Sequence, residues 1–169
     1  MTIATRRSAL FLGFGAAAAL PLLGSVRPAF AQSDPTEYAK LTLEGGLFAK
    51  KSSELALERA QDEKVKGFAR LEIAEQEAVA AVLKSTGVEP PADVDGEEKV
   101  LMEKLMGLEG AEFDVAYLDG QIKGHEELLR IQEPMASMEE ITIPVANAKL
   151  AKTAIETHLA MLKGIQAMM

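Results

Sequence analysis

The chain has 169 residues with 26 acidic and 18 basic side chains, and it contains no cysteine and no tryptophan. The lack of cysteine excludes a disulfide framework, a thiolate metal site and a thiol nucleophile. The acidic excess argues against nucleic acid and anionic lipid as partners, because both bind basic surfaces.

The first predicted element is an export signal over residues 1–31. Arg6 and Arg7 precede an apolar run rich in alanine, glycine and leucine, and Ala29-Phe30-Ala31 is an A-x-A cleavage site. This is the layout of a signal peptide, and the paired arginines are typical of the twin-arginine type. We expect cleavage after Ala31 and release into the periplasm without a stable membrane anchor. An uncleaved transmembrane anchor is the less favoured alternative.

Residues 32–169 are predicted to form one domain, since their number is close to the usual domain size. Removing Arg6, Arg7 and Arg27 with the signal leaves 15 basic against 26 acidic residues, a net charge of −11 with histidine neutral. Without cysteine, the stability of this domain must come from packing.

Capping residues and apolar periodicity predict four long helices and one short helix in this domain. Asp34 and Asp62 are expected N-caps, Gly87 ends the second long helix, and Pro134 ends the third. The predicted helices cover residues 35–61, 63–86, 97–106, 112–132 and 144–168. The expected fold class is therefore all-α, an up-down four-helix bundle with one short extra helix between the second and third long helices.

Polar side chains interrupt the apolar faces of three long helices. At one hundred degrees per residue, Glu72 falls in the middle of the apolar arc of the second long helix. His125 lies on the midline of the third, and His158 lies at the centre of the stripe on the fourth. Burying a lone charge is costly unless it is paired or binds a metal. The polar residues close to these three on the same helices are Glu75, Gln76 and Gln121.

Three interpretations of Glu72, His125 and His158 stay open. Two histidines and one carboxylate suit a divalent ion such as iron, manganese or zinc, with Gln121 orienting the His125 ring and Glu75-Gln76 as further outer partners. The same residues also suit a hydrogen-bond network that fixes the helix register and binds nothing. The third interpretation is a small-ligand cavity between the helices.

Several short segments resemble one bacterial family of exported proteins. They are Val65-Lys66-Gly67-Phe68-Ala69, Phe113-Asp114-Val115-Ala116-Tyr117, His125 eight residues later, and Thr157-His158-Leu159. Over residues 35–165 the chain resembles the bacterial domain-of-unknown-function family 4142. The resemblance implies a ferritin-like four-helix bundle in the cell envelope, often described as an outer-membrane protein, with no settled activity.

The resemblance also bears on the site. Where the family typically carries Asp-His, this chain has Glu75-Gln76. Where the family carries a glutamate on the first helix, this chain has Ala49. The Glu-x-x-His pairs that hold two irons in ferritin-like enzymes are absent from this sequence, which therefore predicts at most a mononuclear site. The polar positions of the family that this chain retains are Asp114, Tyr117, His125 and His158.

Asp114 and Tyr117 are expected to form a structural polar anchor where the third long helix begins, with the tyrosine hydroxyl bonding a carboxylate. The sequence assigns no catalytic residue and favours a protein that is not an enzyme. We expect an exported bundle that binds one divalent metal ion or a small ligand in its core. The alternatives are a periplasmic metal-dependent oxidoreductase or metal-handling enzyme, and a non-catalytic envelope module that binds a partner protein or a second copy of itself.

Overall fold

A computed structural model describes residues 34–169, and this part of the chain contains five helices and no strand. The predicted export signal over residues 1–31 lies outside the described residues. The prediction of a helical bundle with one short extra helix is confirmed. In chain order the helices are α1 (Pro35–Arg59), α2 (Glu63–Lys84), α3 (Gly96–Met106), α4 (Gly110–Ala136) and α5 (Ile143–Gln166). The four long helices predicted from the sequence are therefore α1, α2, α4 and α5.

The helix boundaries follow from capping chemistry. The Asp34 carboxylate accepts a hydrogen bond from the Thr36 backbone N–H at 2.8 Å, and Pro35 occupies the first turn of α1. Asp62 caps α2 in the same way, by accepting from the Lys64 N–H at 2.6 Å. Such bonds satisfy backbone donors that have no partner within the helix. After α2, Gly87 takes a φ of 87°, a left-handed conformation that glycine adopts without a steric penalty.

The predicted end of the third long helix is wrong. Pro134 lies inside α4, which continues to Ala136, although proline cannot donate the usual backbone bond. The Ser137 N–H still donates to the Glu133 carbonyl at 3.1 Å, and the side chain of Met135 is completely buried. Burial of this one side chain contributes about 1.5–3 kcal/mol, which is of the same order as the cost of about 3 kcal/mol for a proline inside a helix.

The long helices pack in a square in which α1 contacts α2 and α4, and α5 contacts α4 and α2. Two apolar clusters, one at each end of the bundle, give the helix directions. One end holds Ala56, Phe68, Phe113 and Leu162, and the other holds Leu43, Leu83, Met135 and Val145. Consequently α1 and α5 run in one direction, and α2 and α4 run in the opposite direction.

The up-down order therefore holds within the α1–α2 and α4–α5 hairpins, while α2 and α4 are parallel. The segment from residue 85 to residue 109, which includes α3, returns along the bundle to make this possible. Two side chains of α1 hold this segment against the bundle. Lys51 forms an ion pair with Asp93, and Arg59 donates to the Met106 carbonyl at 2.6 Å. The long crossover places α2 and α4 on one diagonal, so that their inward side chains meet at the bundle axis.

None of the five helices described in residues 34–169 is both long and apolar enough to cross a bilayer.

Candidate metal site

Glu72 of α2, His125 of α4 and His158 of α5 meet between the apolar clusters of the bundle. The Glu72 Oε2 atom lies 3.3 Å from His125 Nε2 and 3.0 Å from His158 Nδ1. The two nitrogens are themselves 3.3 Å apart. The exposed fraction of the whole residue is 0% for Glu72, 1% for His125 and 8% for His158. These three residues, which we call the central trio, thus form a compact triangle away from water.

The outer nitrogen of each imidazole faces an acceptor. His125 Nδ1 lies 2.8 Å from the backbone carbonyl of Gln121, and His158 Nε2 lies 3.3 Å from Glu75 Oε2. Because a carbonyl and a carboxylate only accept, we assign a proton to each outer nitrogen. In neutral imidazoles the two inner nitrogens, His125 Nε2 and His158 Nδ1, then carry lone pairs that point into the triangle. Glu72 Oε2 also contributes a lone pair. Three lone pairs so close together repel one another unless a cation lies among them, either a proton or a metal ion.

The triangle has the dimensions of a metal coordination face. The three ligand atoms lie within 4.8 Å of one another, and their measured separations are 3.0–3.3 Å. A point about 1 Å out of their plane is about 2.1 Å from each atom, which is the usual length of a bond from zinc to a histidine nitrogen or a carboxylate oxygen. Two histidines and one carboxylate on one face also form the donor set of non-haem iron sites.

The pKa values of the site are set by burial and by the facing charges. Burial on its own raises the pKa of the Glu72 carboxyl, but the facing His125 and His158 rings and the Gln76 amide outweigh it and lower that pKa to about 2. Burial on its own lowers the pKa of His158, but the pairing with Glu72 outweighs this effect, so the pKa of His158 is raised. The carboxylate therefore stays ionised, and in the absence of a metal His158 holds a proton more strongly than a free imidazole does.

The neighbours of the central trio hold its side chains in place. The Gln76 amide donates to Glu72 Oε1 at 2.8 Å. A Cβ on Gly46 would lie 2.5 Å from Gln76 Oε1, so a glycine at this point of α1 leaves room for the amide. The Phe68 ring packs on both imidazoles, with centroid separations of 5.9 Å to His125 and 5.2 Å to His158. These contacts fix the orientation of all three proposed ligands.

Comparison with known proteins gives one match. Residues 24–168 match the family model described as Domain of unknown function (DUF4142). The chain belongs to this family. No curated protein and no solved structure matches it. The resemblance drawn from the short sequence segments is thereby confirmed for the family, and the description of this family assigns it no activity.

Gln121 of this DUF4142 domain faces the His125 ring through its main chain. Its backbone carbonyl, and not its side chain, accepts the hydrogen bond of His125 Nδ1. Its side-chain amide turns toward α1 and donates to Ser52 Oγ at 2.9 Å and to the Ala49 carbonyl at 3.2 Å. The sequence places Gln121 one turn before His125, but it does not reveal which atoms of a neighbour face the ring.

Asp114 and Tyr117 are both buried at the start of α4, but they do not bond each other. The Tyr117 hydroxyl lies 2.8 Å from Ser53 Oγ, so the predicted bond from tyrosine to a carboxylate is wrong. Asp114 instead accepts from the backbone N–H groups of Gln61 and Asp62, at 3.0 and 2.9 Å. Its carboxylate thus ties the α1–α2 turn to α4, while Tyr117 joins α4 to α1.

A second buried polar layer at the other end of the bundle was not predicted from the sequence. The Tyr38 hydroxyl donates to Gln132 Oε1 at 2.7 Å and accepts from Asn147 at 2.7 Å, and Gln132 also donates to Thr42 at 3.2 Å. Asn147 lies eleven residues before His158, which puts both on one side of α5. That spacing is the signal that could have revealed this layer.

A groove between α1 and α2 bears on the small-ligand interpretation. It has a volume of about 360 Å³ and is largely apolar, and Pro90-Pro91 and Gln76 are among its lining residues. None of the central trio lines it. A ligand in this groove would therefore touch the site only through Gln76, whose amide bonds Glu72.

Proposed function

We propose that this protein is an exported, periplasmic helical bundle that binds one divalent transition-metal ion through Glu72, His125 and His158. The ion is iron, manganese or zinc. The convergence of three lone pairs from three helices at the dry centre of the bundle carries this proposal. Carboxylate and imidazole are the ligands that these metals share, and the long crossover between α2 and α4 is the connection that ferritin-like bundles use.

The same geometry is compatible with a hydrogen-bond network that binds no metal. In that case a proton takes the place of the metal ion among the three atoms. The metal is favoured because all three separations match a coordination face, whereas one proton bridges only two atoms. The fixed outer N–H groups favour it too, since metal-binding histidines normally donate their second nitrogen to a carbonyl or a carboxylate.

A metal-dependent oxidoreductase is the second candidate function. It is favoured by the number of protein ligands, because three ligands leave coordination positions open, as catalytic metal sites do. The reaction with peroxide or with ferrous iron distinguishes this candidate from simple binding. Turnover by the metal-loaded protein that is lost in His125→Ala supports the enzyme, and stoichiometric binding without turnover supports a binder.

Export rests on the sequence of residues 1–31. The paired Arg6 and Arg7 direct a chain to the twin-arginine route, and this route carries cargo that is already folded. A folded domain can take up its metal before export, so that the choice of ion is made inside the cell. Uptake before export agrees with this site, because ligands from three different helices come together only in the folded domain.

Elemental analysis of protein purified without chelator tests the proposed function. The wild type is expected to hold about one equivalent of metal per chain, because one set of ligands is present. His125→Ala is expected to hold less than about one tenth of that, since removal of one of three ligands leaves no adequate donor set. Glu77→Gln, a change at an exposed position of α2, is the control and keeps its metal. The proposal is wrong if the purified wild type holds no metal and then binds no iron, manganese or zinc on titration.

A further inference from the structure

His158 is the member of the central trio that reaches toward the surface. Its side chain is 10% exposed, whereas those of His125 and Glu72 are 1% and 0% exposed. Its outer nitrogen, Nε2, lies 3.3 Å from Glu75 Oε2, and the Glu75 side chain is 24% exposed. The His158–Glu75 contact therefore lies between the solvent and the buried ligands.

The two carboxylates of α2 flank the same imidazole ring. Glu72 faces His158 Nδ1 at 3.0 Å from the inside, and Glu75 faces Nε2 at 3.3 Å from the outside. The glutamates are three residues apart, so they lie on one side of α2. A cation held by Glu75 is then separated from Glu72 by the width of one ring.

A groove between α2 and α5 brings solvent to Glu75. Its volume is about 230 Å³, and Glu75 is the acidic residue among those that line it. Ala78, Ala151 and Ala154 also line this groove, and the Glu75 side chain keeps about a quarter of its surface exposed, at 24%.

We propose that Glu75 is the loading residue of the site: it binds the incoming divalent cation first and transfers it past His158 to the central trio. This inference rests on the proposed function. The hydrated ion exchanges one water for Glu75 Oε2, which breaks the contact with His158 and frees the ring to move. The ion then exchanges further waters for Glu72, His158 and His125, and any proton held by the metal-free site leaves to solvent.

Glu75 is a positioning residue in this account and not a ligand of the bound ion. Its oxygen lies beyond the outer nitrogen of His158, on the far side of the ring from Glu72. Its carboxylate therefore stabilises the passing ion more than the bound ion. Replacing the carboxylate by an amide, which still accepts from His158 Nε2, slows loading and release together and changes the equilibrium affinity little.

Stopped-flow measurements with Co²⁺ alone test this assignment on the folded protein, with the visible absorbance of the ion as the signal and a chelator chase for release. Glu75→Gln is expected to slow both association and dissociation about tenfold. The dissociation constant changes little, because the amide oxygen of glutamine can still accept the hydrogen bond of His158 Nε2. Glu75→Asp keeps a carboxylate and is expected to recover most of the rate. Glu77→Gln is the matched control, because it removes the same charge from an exposed position of α2 that pairs with Lys50.

Unchanged rates in Glu75→Gln would overturn the loading role. So would faster dissociation with unchanged association, since that pattern shows that Glu75 stabilises the bound ion, as a ligand or as the partner of His158 Nε2. Equal slowing in Glu77→Gln would also overturn it, because general attraction by the acidic surface would then explain the rates. If wild-type protein binds no Co²⁺ at equilibrium, the proposed function itself fails, and this outcome is distinct from all three.

Discussion

The imidazole of His158 lies between two carboxylates, and protons compete with the proposed metal ion for the same atom, Nδ1. Burial lowers the pKa of His158 and pairing with Glu72 raises it, and the second effect is larger. A raised pKa favours the protonated ring at low pH, whereas a metal ion requires the neutral ring. In the metal-free protein, the stabilisation from this ion pair is fully present below the ordinary imidazole pKa of about 6.5. It is lost as the pH rises through the higher pKa of the folded state.

Metal affinity is therefore expected to depend on pH with a definite sign. Below the pKa of His158, each unit of falling pH weakens Co²⁺ binding about tenfold, because one proton must be displaced for each ion bound. Well above that pKa the affinity levels off. Titrations between about pH 5.5 and pH 9, with the free metal set by a calibrated competitor at each pH, measure the profile. A flat profile across this range would show that His158 is not a ligand.

The inward positions of Glu72, His125 and His158 could be predicted from periodicity, since one hundred degrees per residue places each on an apolar face. Their contacts could not. The rotational position of a residue gives neither its height in the bundle nor the helix that it faces. For this reason periodicity could not reveal that Tyr117 bonds Ser53 and not a carboxylate.

At the scale of the helices, a single carboxylate joins three elements. Asp114 on α4 accepts from two backbone N–H groups in the turn between α1 and α2, and only 2% of the residue is exposed. Without it, both donors of this part-buried turn would lose their acceptor on α4. Hydrogen bonds to an ionised acceptor are also stronger than those between neutral groups.

Asp114→Ala is expected to lower the free energy of unfolding by about 1.5–3 kcal/mol, because it removes the charged acceptor of two backbone N–H groups. Asp119→Ala, on the same helix, removes an exposed bond to Gln166 and should cost less than about 0.5 kcal/mol. Urea denaturation of the metal-free variants gives both values. Equal stability of the two variants would contradict the role assigned to Asp114.

The helices themselves were largely predictable, because caps at Asp34 and Asp62 and the glycine at Gly87 act locally. The end of α4 was not. Pro134 argues for a break on local grounds, but burial of Met135 in the apolar cluster at that end of the bundle extends the helix by a further two residues. Packing between distant segments overrides a local preference here, and no window around Pro134 contains that information.

At the scale of the molecule, the parallel arrangement of α2 and α4 depends on the crossover from residue 85 to residue 109. The sequence predicted a loop and a short helix there, but it did not predict their course along the bundle. The direction follows only from which ends of the helices share an apolar cluster. The same crossover allows Glu72 and His125 to face each other across the bundle axis.

The proposed export route is a property of the whole chain, and its test uses the full chain. Replacing Arg6 and Arg7 together by lysine keeps the positive charge of the signal but removes the twin-arginine pattern. We expect the precursor to remain in the cytoplasm, while wild-type protein appears in the periplasm with Gln32 as its first residue. Arg27→Lys is the control and is exported. Cell fractionation and intact-mass measurement decide the result, and normal export of the double variant would contradict the assigned route.

The central claim is that one metal ion lies among three named atoms, and a crystal structure of the Co²⁺-loaded protein with anomalous scattering tests it most directly. We expect one anomalous peak about 2.0–2.2 Å from Glu72 Oε2, His125 Nε2 and His158 Nδ1. A peak at any other place, or a central trio that keeps its 3.0–3.3 Å contacts with no ion among them at saturating Co²⁺, would contradict the account.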